Sequence, residues 1–347
     1  FVMGTFGLFL FFLIAGIIAI LVATSRYARS EKNKPNGETT PATTENNSSA
    51  VNNPTSSINE LNGISDLIAQ GDGLGAESKY LAFVKSHGTF DAVMEKSLGD
   101  CFHGKKDFSK AFEWYHTSAE HGFASAQNSL GQAYQFGRGV ERNIIEAVKW
   151  YRLAGEQNNA AALFNLGYIY DFADGVPQNY VEAAFWYQKA AYLGLKEAQA
   201  NLAYMYEQGL GVKQDYNLAA KYYMAAADQG SLMAQNQLGM LYHYGLGVKK
   251  DDAVATKWWV KAANGGYAPS QATMGTLYYY SQDYDNALGF FTASAKQGNP
   301  TAQFYMGLMY EKGTGVKQDL AVAVKWYRMA AQQGNVDAKK KLTELSI

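Results

Sequence analysis

The chain has 347 residues, and 30 lysines and arginines against 31 aspartates and glutamates give a net charge of −1. A chain without a basic excess is a poor candidate for binding nucleic acid, because neutralising phosphates requires clustered cations. The single cysteine excludes an internal disulfide framework and a cysteine-rich zinc site. The 34 glycines and 25 tyrosines beside only 6 prolines indicate that Gly and Tyr recur at fixed places in an ordered chain.

The first segment, Phe1 to Thr24, is uncharged and almost wholly apolar. About 20 apolar residues suffice to cross roughly 30 Å of hydrocarbon as a helix. We therefore predict a single transmembrane helix over residues 1–24. A cleavable signal peptide is the alternative, although its apolar region usually runs only about 7–15 residues.

A basic flank and a polar linker follow over residues 25–57. The flank contains four cations: Arg26, Arg29, Lys32 and Lys34. By the positive-inside rule these cations place the rest of the chain in the cytoplasm. A basic stretch ahead of Phe1 would reverse that orientation and make the remainder periplasmic or lumenal. The linker is rich in Asn, Thr and Ser, and it is too polar to bury a core, so we predict a flexible tether.

From about residue 58 the chain is periodic. One aromatic recurs at steps of 36 residues, and once of 32, at Trp114, Trp150, Trp186, Tyr222, Trp258, Phe290 and Trp326. A Leu or Met always stands 16 residues after that aromatic, at Leu130, Leu166, Leu202, Leu238, Met274, Met306 and Leu342. With Leu98 at the start, these positions delimit seven repeats.

Each repeat predicts two helices, which we call helix A and helix B. Helix A carries a small residue, a Leu followed by Gly, and a Tyr, four residues apart on one face that we assign to the core. A Gly-x-Gly-Val loop and an Asn or Asp N-cap lead into helix B, with the caps at Asn143, Asn179, Asp215, Asp251 and Asp319. Helix B ends at a residue that tolerates a left-handed conformation: Gly122, Asn158, Gly194, Gly230, Gly266, Gly298 or Gly334.

This pattern resembles the Sel-one-like repeat family, which is related to the tetratricopeptide repeats. The resemblance implies an all-α, right-handed superhelical solenoid that acts as an adaptor or scaffold for proteins. We place N-terminal capping helices at 58–87, seven repeats at 88–335 and a C-terminal capping helix at 336–347. The repeats that start at Leu98 and Met274 lack the Gly loop, so we expect a local change of superhelix curvature there.

The sequence contains no pattern typical of an enzyme. Its five histidines are spaced poorly for a shared metal, and the Gly-x-Gly loops follow helices rather than strands, unlike phosphate-binding loops. We therefore predict a protein that is not an enzyme, with no catalytic residue, metal or cofactor.

The remaining signal is the surface of the A helices. Residues two and five positions after the repeat Leu should face a concave groove, where we expect a protein or peptide partner to bind. These residues are Gln132, Gln135, Tyr168, Asp171, Tyr204, Glu207, Met240, His243 and Tyr279. The two carboxylates favour basic groups on that partner. We predict a membrane-anchored scaffold; the alternatives are an inhibitor or immunity protein that occludes a toxic enzyme, and a binder of an envelope polymer such as a sugar.

Overall fold

The computed structural model describes residues 54–345, with side chains from residue 57 onward. All regular structure in this range is α-helical, and it comprises 17 helices. They are α1 (Pro54–Ala69), α2 (Gly73–His87), α3 (Ala92–Gly104), α4 (Phe108–Glu120), α5 (Ala124–Phe136), α6 (Ile144–Glu156), α7 (Ala160–Asp171), α8 (Tyr180–Tyr192), α9 (Lys196–Gln208), α10 (Tyr216–Asp228), α11 (Leu232–Tyr244), α12 (Asp252–Asn264), α13 (Ala268–Tyr280), α14 (Tyr284–Lys296), α15 (Pro300–Lys312), α16 (Leu320–Gln332) and α17 (Val336–Glu344).

The described chain divides into two compact units. The first contains α1 and most of α2, and it buries Ile64, Tyr80 and Phe83. These two helices lie in the region of the predicted N-terminal capping helices, and α1 extends into the predicted linker. Helix α1 already begins at Pro54, where the fixed φ of proline suits a first helical turn.

The second unit contains the repeats. Odd-numbered helices from α3 to α15 are A helices, each followed by its B helix, and α17 is a last A helix without a B partner. Every predicted cap is confirmed: Asp215, for example, accepts hydrogen bonds from the backbone N–H groups of Asn217 and Leu218 at 2.9 and 3.0 Å. The predicted left-handed helix ends are also confirmed, including the non-glycine Asn158 at φ 61°.

The glycine after the repeat Leu makes room for an aromatic ring from helix B. A Cβ added to Gly167 would lie 2.5 Å from the Tyr187 ring, and one on Gly131 would lie 2.7 Å from the Tyr151 ring. The ring therefore occupies the volume of the missing side chain. In the fourth repeat Ala203 takes this position opposite Tyr223, so one methyl group can be accommodated.

The second glycine of each long loop packs on the preceding repeat. A Cβ on Gly211 would overlap the carbonyl of Tyr180 at the start of α8, and one on Gly247 would overlap the carbonyl of Tyr216 at the start of α10. The loop is thus a contact between repeats as well as a turn. The short connections from α3 to α4 and from α13 to α14 lack this glycine loop, as the sequence predicts.

The core differs from the predicted one in the placement of its tyrosines. The fully buried rings follow the repeat aromatic by one residue, at Tyr151, Tyr187, Tyr223 and Tyr327. The helix-A tyrosines that we assigned to the core are only half-buried. They pack instead on the repeat aromatic of helix B, as Tyr206 does on Tyr222 with ring centroids 5.9 Å apart and planes nearly parallel.

Helix α17 lies in the segment of the predicted C-terminal capping helix, and it buries Ala338. The predicted transmembrane helix over residues 1–24 lies outside the described residues. Between residues 54 and 345, none of the helices combines the length and the apolar character that crossing a membrane requires.

Candidate partner-binding surface

Five A helices form a surface with few charges, which we call the A-helix face: α5, α7, α9, α11 and α13. Its acidic and basic side chains are Asp171, Lys196, Glu197 and Glu207. The four intervening B helices carry eleven, with at least two on every helix. Depletion of charge is typical of the centre of a protein interface.

The A-helix face is also half-buried rather than fully exposed. Its strongly exposed side chains lie only in the last turns of the helices, at Phe136, Gln208, Tyr244, Leu277 and Tyr280. Consecutive A helices are joined by side-chain hydrogen bonds, such as the one of 3.0 Å from Asn165 to Asn128. Side chains of consecutive A helices therefore lie close together, as expected on the inner side of a stack of helix pairs.

The predicted site residues five positions after the Leu serve the fold as well as the surface. Three of the five accept a hydrogen bond from a buried helix-B tyrosine: Tyr151 donates to Gln135 at 2.7 Å, Tyr187 to Asp171 at 3.2 Å and Tyr223 to Glu207 at 2.6 Å. A phenol inside the core needs an acceptor, because an unpaired buried hydroxyl is destabilising.

Gln135 lies inside the molecule, with only 2% of its surface exposed. Its amide also donates to Asp174 at 2.7 Å, and Asp174 is paired with Arg142. The expectation that Gln135 faces an open groove is therefore wrong, because its side chain is buried and hydrogen-bonded to Tyr151 and Asp174.

His243 and Tyr279 occupy the same repeat position where helix B offers no hydroxyl. Their counterparts are Trp259 and Phe291, with ring centroids 5.6 and 6.5 Å away. His243 pairs with Asp252 at 2.6 Å, and Tyr279 packs edge-on against Tyr305 at 5.4 Å. Both residues remain half-buried at the surface.

The predicted residues two positions after the Leu are all half-buried on the A-helix face: Gln132, Tyr168, Tyr204 and Met240. Tyr168 stacks on Phe172 with centroids 4.5 Å apart. Burial, followed by the nearby carboxylates of Glu207 and Asp171, raises the pKa of Tyr204. Burial, followed by Asp174 and Asp171, raises the pKa of Tyr168. These shifts show that Tyr168, Asp171, Tyr204 and Glu207 form one patch.

Asp171 is the most perturbed carboxyl group of this patch. Desolvation raises its pKa from 3.8 to about 6, although the hydrogen bond from Tyr187 opposes the shift. A carboxylate that has lost water without gaining a cation binds positive charge favourably.

The histidines have structural partners. His121 pairs with the buried Glu95 at 2.6 Å and stacks on Phe90. Burial, followed by Arg138, lowers the pKa of His103. Within residues 57–345, no group of three or more His, Cys, Asp or Glu side chains is arranged to hold a metal ion.

Sequence reasoning missed a pair of residues that closes most of the repeats. The residue three before the Leu is paired with the residue seven after the aromatic, as in Gln199 and Gln229, whose side chains meet at 2.8 Å. Five repeats hold such a pair, at Glu95–His121, Gln127–Gln157, Gln199–Gln229, Gln271–Gln297 and Gln303–Gln333. The same two positions are Leu163 and Leu193 in the third repeat and Gln235 and Gly265 in the fifth. Both positions are polar in five repeats and both are apolar in the third, and that co-variation within one chain is the available signal.

Comparison with solved structures shows the same architecture. A protective antigen of uropathogenic Escherichia coli strains, described as displaying an SLR fold, superposes with a TM-score of 0.72 at 29% identity, over 83% of this chain and 64% of that one. A Sel1 repeat protein of Oxalobacter formigenes gives a TM-score of 0.63 at 32% identity, over 68% of this chain and 96% of that one.

A shorter sequence match is found to DAP3-binding cell death enhancer 1 of Rattus norvegicus, which is 38% identical over 63 residues. These residues are 18% of this chain and only 12% of the rat protein. The similarity therefore covers a few repeats and not the whole relative.

A family model, the Sel1 repeat, matches seven consecutive segments: 97–123, 124–159, 160–195, 196–231, 232–267, 268–299 and 300–335. These matches cover more than half of the chain, and their boundaries fall at the ends of the B helices. Proteins built from such repeats are typically non-catalytic scaffolds for protein–protein interactions. The chain is thus a member of the Sel1 repeat family.

Proposed function

We propose that this chain is a non-catalytic, membrane-anchored scaffold that binds another protein along its A-helix face. The observation that carries the proposal is the contrast between the two helix rows. The A-helix face is low in charge and presents half-buried Tyr168, Tyr204 and Met240, whereas the B helices are charged throughout. Aromatic and Met side chains on a face with few charges supply contact area with little desolvation penalty.

The anchor in this proposal is the apolar segment Phe1 to Thr24, followed by the basic flank and the polar linker. A helix of this length suits a bilayer, and a tether of polar residues would let the repeats search a volume close to the membrane. The cytoplasmic side is our proposal for the repeats, on the strength of the cations that follow the apolar segment.

Affinity purification of the full chain from membranes of its source cells tests the binding surface. The double variant Tyr204→Ala/Met240→Ala should lose the proteins that the unaltered chain retains, because both side chains lie on the A-helix face. The matched control is Lys221→Ala/Lys257→Ala, in which both changes fall on exposed positions of B helices. Equal retention of the same proteins by both variants, each shown to be folded by circular dichroism, would contradict the proposal.

A further inference from the structure

The acidic groups beside the A-helix face differ in whether they have a cation. Three of the acids that lie along the A helices or at their loops have one within the chain. Asp100 is paired with Lys96 at 2.5 Å, Asp174 with Arg142, and Glu311 with Lys341 at 2.9 Å. Burial alone would raise the pKa of Glu311, but hydrogen bonds from Tyr327 and Lys341 lower it.

Asp171 and Glu207, in adjacent repeats, have no such cation. In the part of the chain that the structure describes, the Asp171 carboxylate accepts a hydrogen bond from the hydroxyl of Tyr187, and the Glu207 carboxylate accepts one from the hydroxyl of Tyr223 and, at 3.4 Å, one from the amide of Gln237. Among the described side chains, neither carboxylate lies within ion-pair distance of a Lys, Arg or His. The central repeats of the face thus carry two negative charges that the chain does not neutralise.

We propose that a basic, extended segment of the partner protein supplies the two missing cations, one to Asp171 and one to Glu207. This inference rests on the proposed function and specifies the chemistry of the partner. Charge complementarity on a low-charge face fixes where a segment docks, because few other ionic contacts compete. The rings of Tyr168 and Tyr204 in the same patch offer faces against which a guanidinium group can lie.

The spacing of the two cations follows from the repeat. Asp171 and Glu207 occupy equivalent positions on consecutive A helices, and both carboxylates are close enough to Tyr204 to raise its pKa. We take their spacing as roughly 10 Å, the usual separation of helices side by side in a layer. A polyproline-II segment advances about 3.1 Å per residue with three residues per turn, so residues three apart point to the same side about 9 Å apart. Two arginines or lysines with two residues between them therefore match the pair.

The test is direct binding of labelled peptides to the purified full chain at low salt. The probes are Gly/Ser peptides with two arginines at a spacing of three, two adjacent arginines, or two glutamates at a spacing of three. The first peptide should bind at least about tenfold more tightly than the second, and its affinity should fall as salt rises. The glutamate peptide should not bind.

The variant Asp171→Asn/Glu207→Gln keeps an acceptor for each tyrosine and removes both charges. Gln135 already plays this role for Tyr151, so the variant should fold. We expect it to lose at least about tenfold in affinity for the arginine pair. Glu311→Gln is the matched control, because Lys341 already neutralises Glu311, and it should bind like the unaltered chain.

Three outcomes would overturn the proposal. They are unchanged binding by the double variant, equal binding of both arginine spacings, and a rise in peptide affinity on deleting residues 1–53. The last would mean that the chain's own cations from Arg26 to Lys34 occupy the pair. Loss of partner proteins by Tyr204→Ala/Met240→Ala would still stand in each case, so failure of this inference is distinguishable from failure of the binding surface itself.

Discussion

Asp171 connects the fold and the surface at the scale of single residues. Its carboxylate accepts a hydrogen bond from the buried Tyr187, and desolvation raises its pKa to about 6. Its other neighbours are Tyr168 and Tyr204, whose pKa values its charge helps to raise. None of these groups is a cation, so the side chain is held away from water without a compensating positive charge.

This shift predicts a specific pH dependence. A carboxyl group whose pKa is higher in the folded than in the unfolded chain makes folding more favourable as pH falls from about 6 to about 4. The free energy of unfolding of the unaltered chain, minus that of Asp171→Asn, should therefore rise by on the order of 2 kcal/mol as the pH falls over this interval. Urea unfolding of both chains at several pH values measures it, and a difference that does not change with pH would contradict the account.

Two glycines of one loop distinguish the cost of a left-handed backbone conformation from the cost of a steric clash. Gly209 and Gly211 both have positive φ, at 70° and 66°. A Cβ on Gly209 would lie no closer than 3.3 Å to any neighbour, the Cβ of Gln214, whereas one on Gly211 would overlap the Tyr180 carbonyl. Ala173 shows that the first loop position accepts a methyl group, since it holds φ 54° in the third repeat.

We therefore expect unequal effects of alanine at these two positions. Gly209→Ala should lower the free energy of unfolding by about 1–2 kcal/mol, the usual cost of a left-handed non-glycine residue. Gly211→Ala should lower it by more than about 3 kcal/mol, because the two repeats must also move apart. Equal losses in denaturant unfolding would show that the contact between Gly211 and α8 is not tight.

At the scale of helices, the pair formed by the residue three before the repeat Leu and the residue seven after the repeat aromatic contributes to stability. In the fifth repeat Gly265 leaves Gln235 without its partner, and the buried Oε1 atom of Gln235 has no hydrogen-bond donor among the described residues. The side chain of Leu232 occupies the space where a side chain at position 265 would begin. An unpaired buried acceptor is destabilising, so this repeat should be the weak joint of the array.

Restoring the pair should strengthen this joint. With Leu232→Ala as background, Gly265→Gln should raise the free energy of unfolding by about 1 kcal/mol relative to Gly265→Ala, because only glutamine can donate to Gln235. Alanine occupies the position of Leu232 in other repeats, at Ala124, Ala160 and Ala268. Thermal unfolding of the two double variants measures the difference, and equal midpoints would mean that the amide pair contributes nothing.

The elements themselves could be predicted from the sequence because each has its own local signal. The caps, the left-handed helix ends and the repeat Leu all depend on interactions within one or two turns, and the structure confirms them. The position of the buried tyrosines could not be predicted in the same way. An amphipathic helix A with a single apolar stripe would place the residues five positions after the Leu on the groove side.

A helix A in the array is instead packed on two sides. It contacts helix B of its own repeat and helix B of the preceding one, so its buried arc is wider than one stripe. Residues five after the Leu fall on the flank that faces their own helix B, where a tyrosine hydroxyl needs an acceptor. A polar residue at this repeat position can therefore serve as a hydrogen-bond acceptor in the core, as a surface group, or as both. Gln135 is buried and serves only in the core.

At the scale of the whole molecule, the repeats behave as a linear stack in which each contacts only its neighbours. Such an array presents the same positions again and again, so a site is made by the few repeats that depart from the common pattern. Asp171 and Glu207 are such departures, since the comparable acids near both ends of the array have cations. We therefore propose that binding specificity resides in the third and fourth repeats.

The proposed anchor makes a separate prediction about the whole chain. The full chain should remain in the membrane fraction after carbonate washing, because a helix of about 20 apolar residues is released only by detergent. A chain lacking residues 1–24 should move to the supernatant while keeping its binding of the arginine peptide. Retention of the shortened chain in the membrane fraction would contradict an anchor at Phe1 to Thr24.

The central claim is that the A-helix face contacts the partner, and site-specific photo-crosslinking in the source cells tests it most directly. A photoreactive side chain would replace Tyr168, Tyr204 or Met240 on the A-helix face, or Lys149, Lys221 or Lys257 on the B helices, one at a time. We expect a shared crosslinked protein from the first three positions and none of it from the last three. Crosslinks to that protein from the B-helix positions, with none from the A-helix face, would contradict the account.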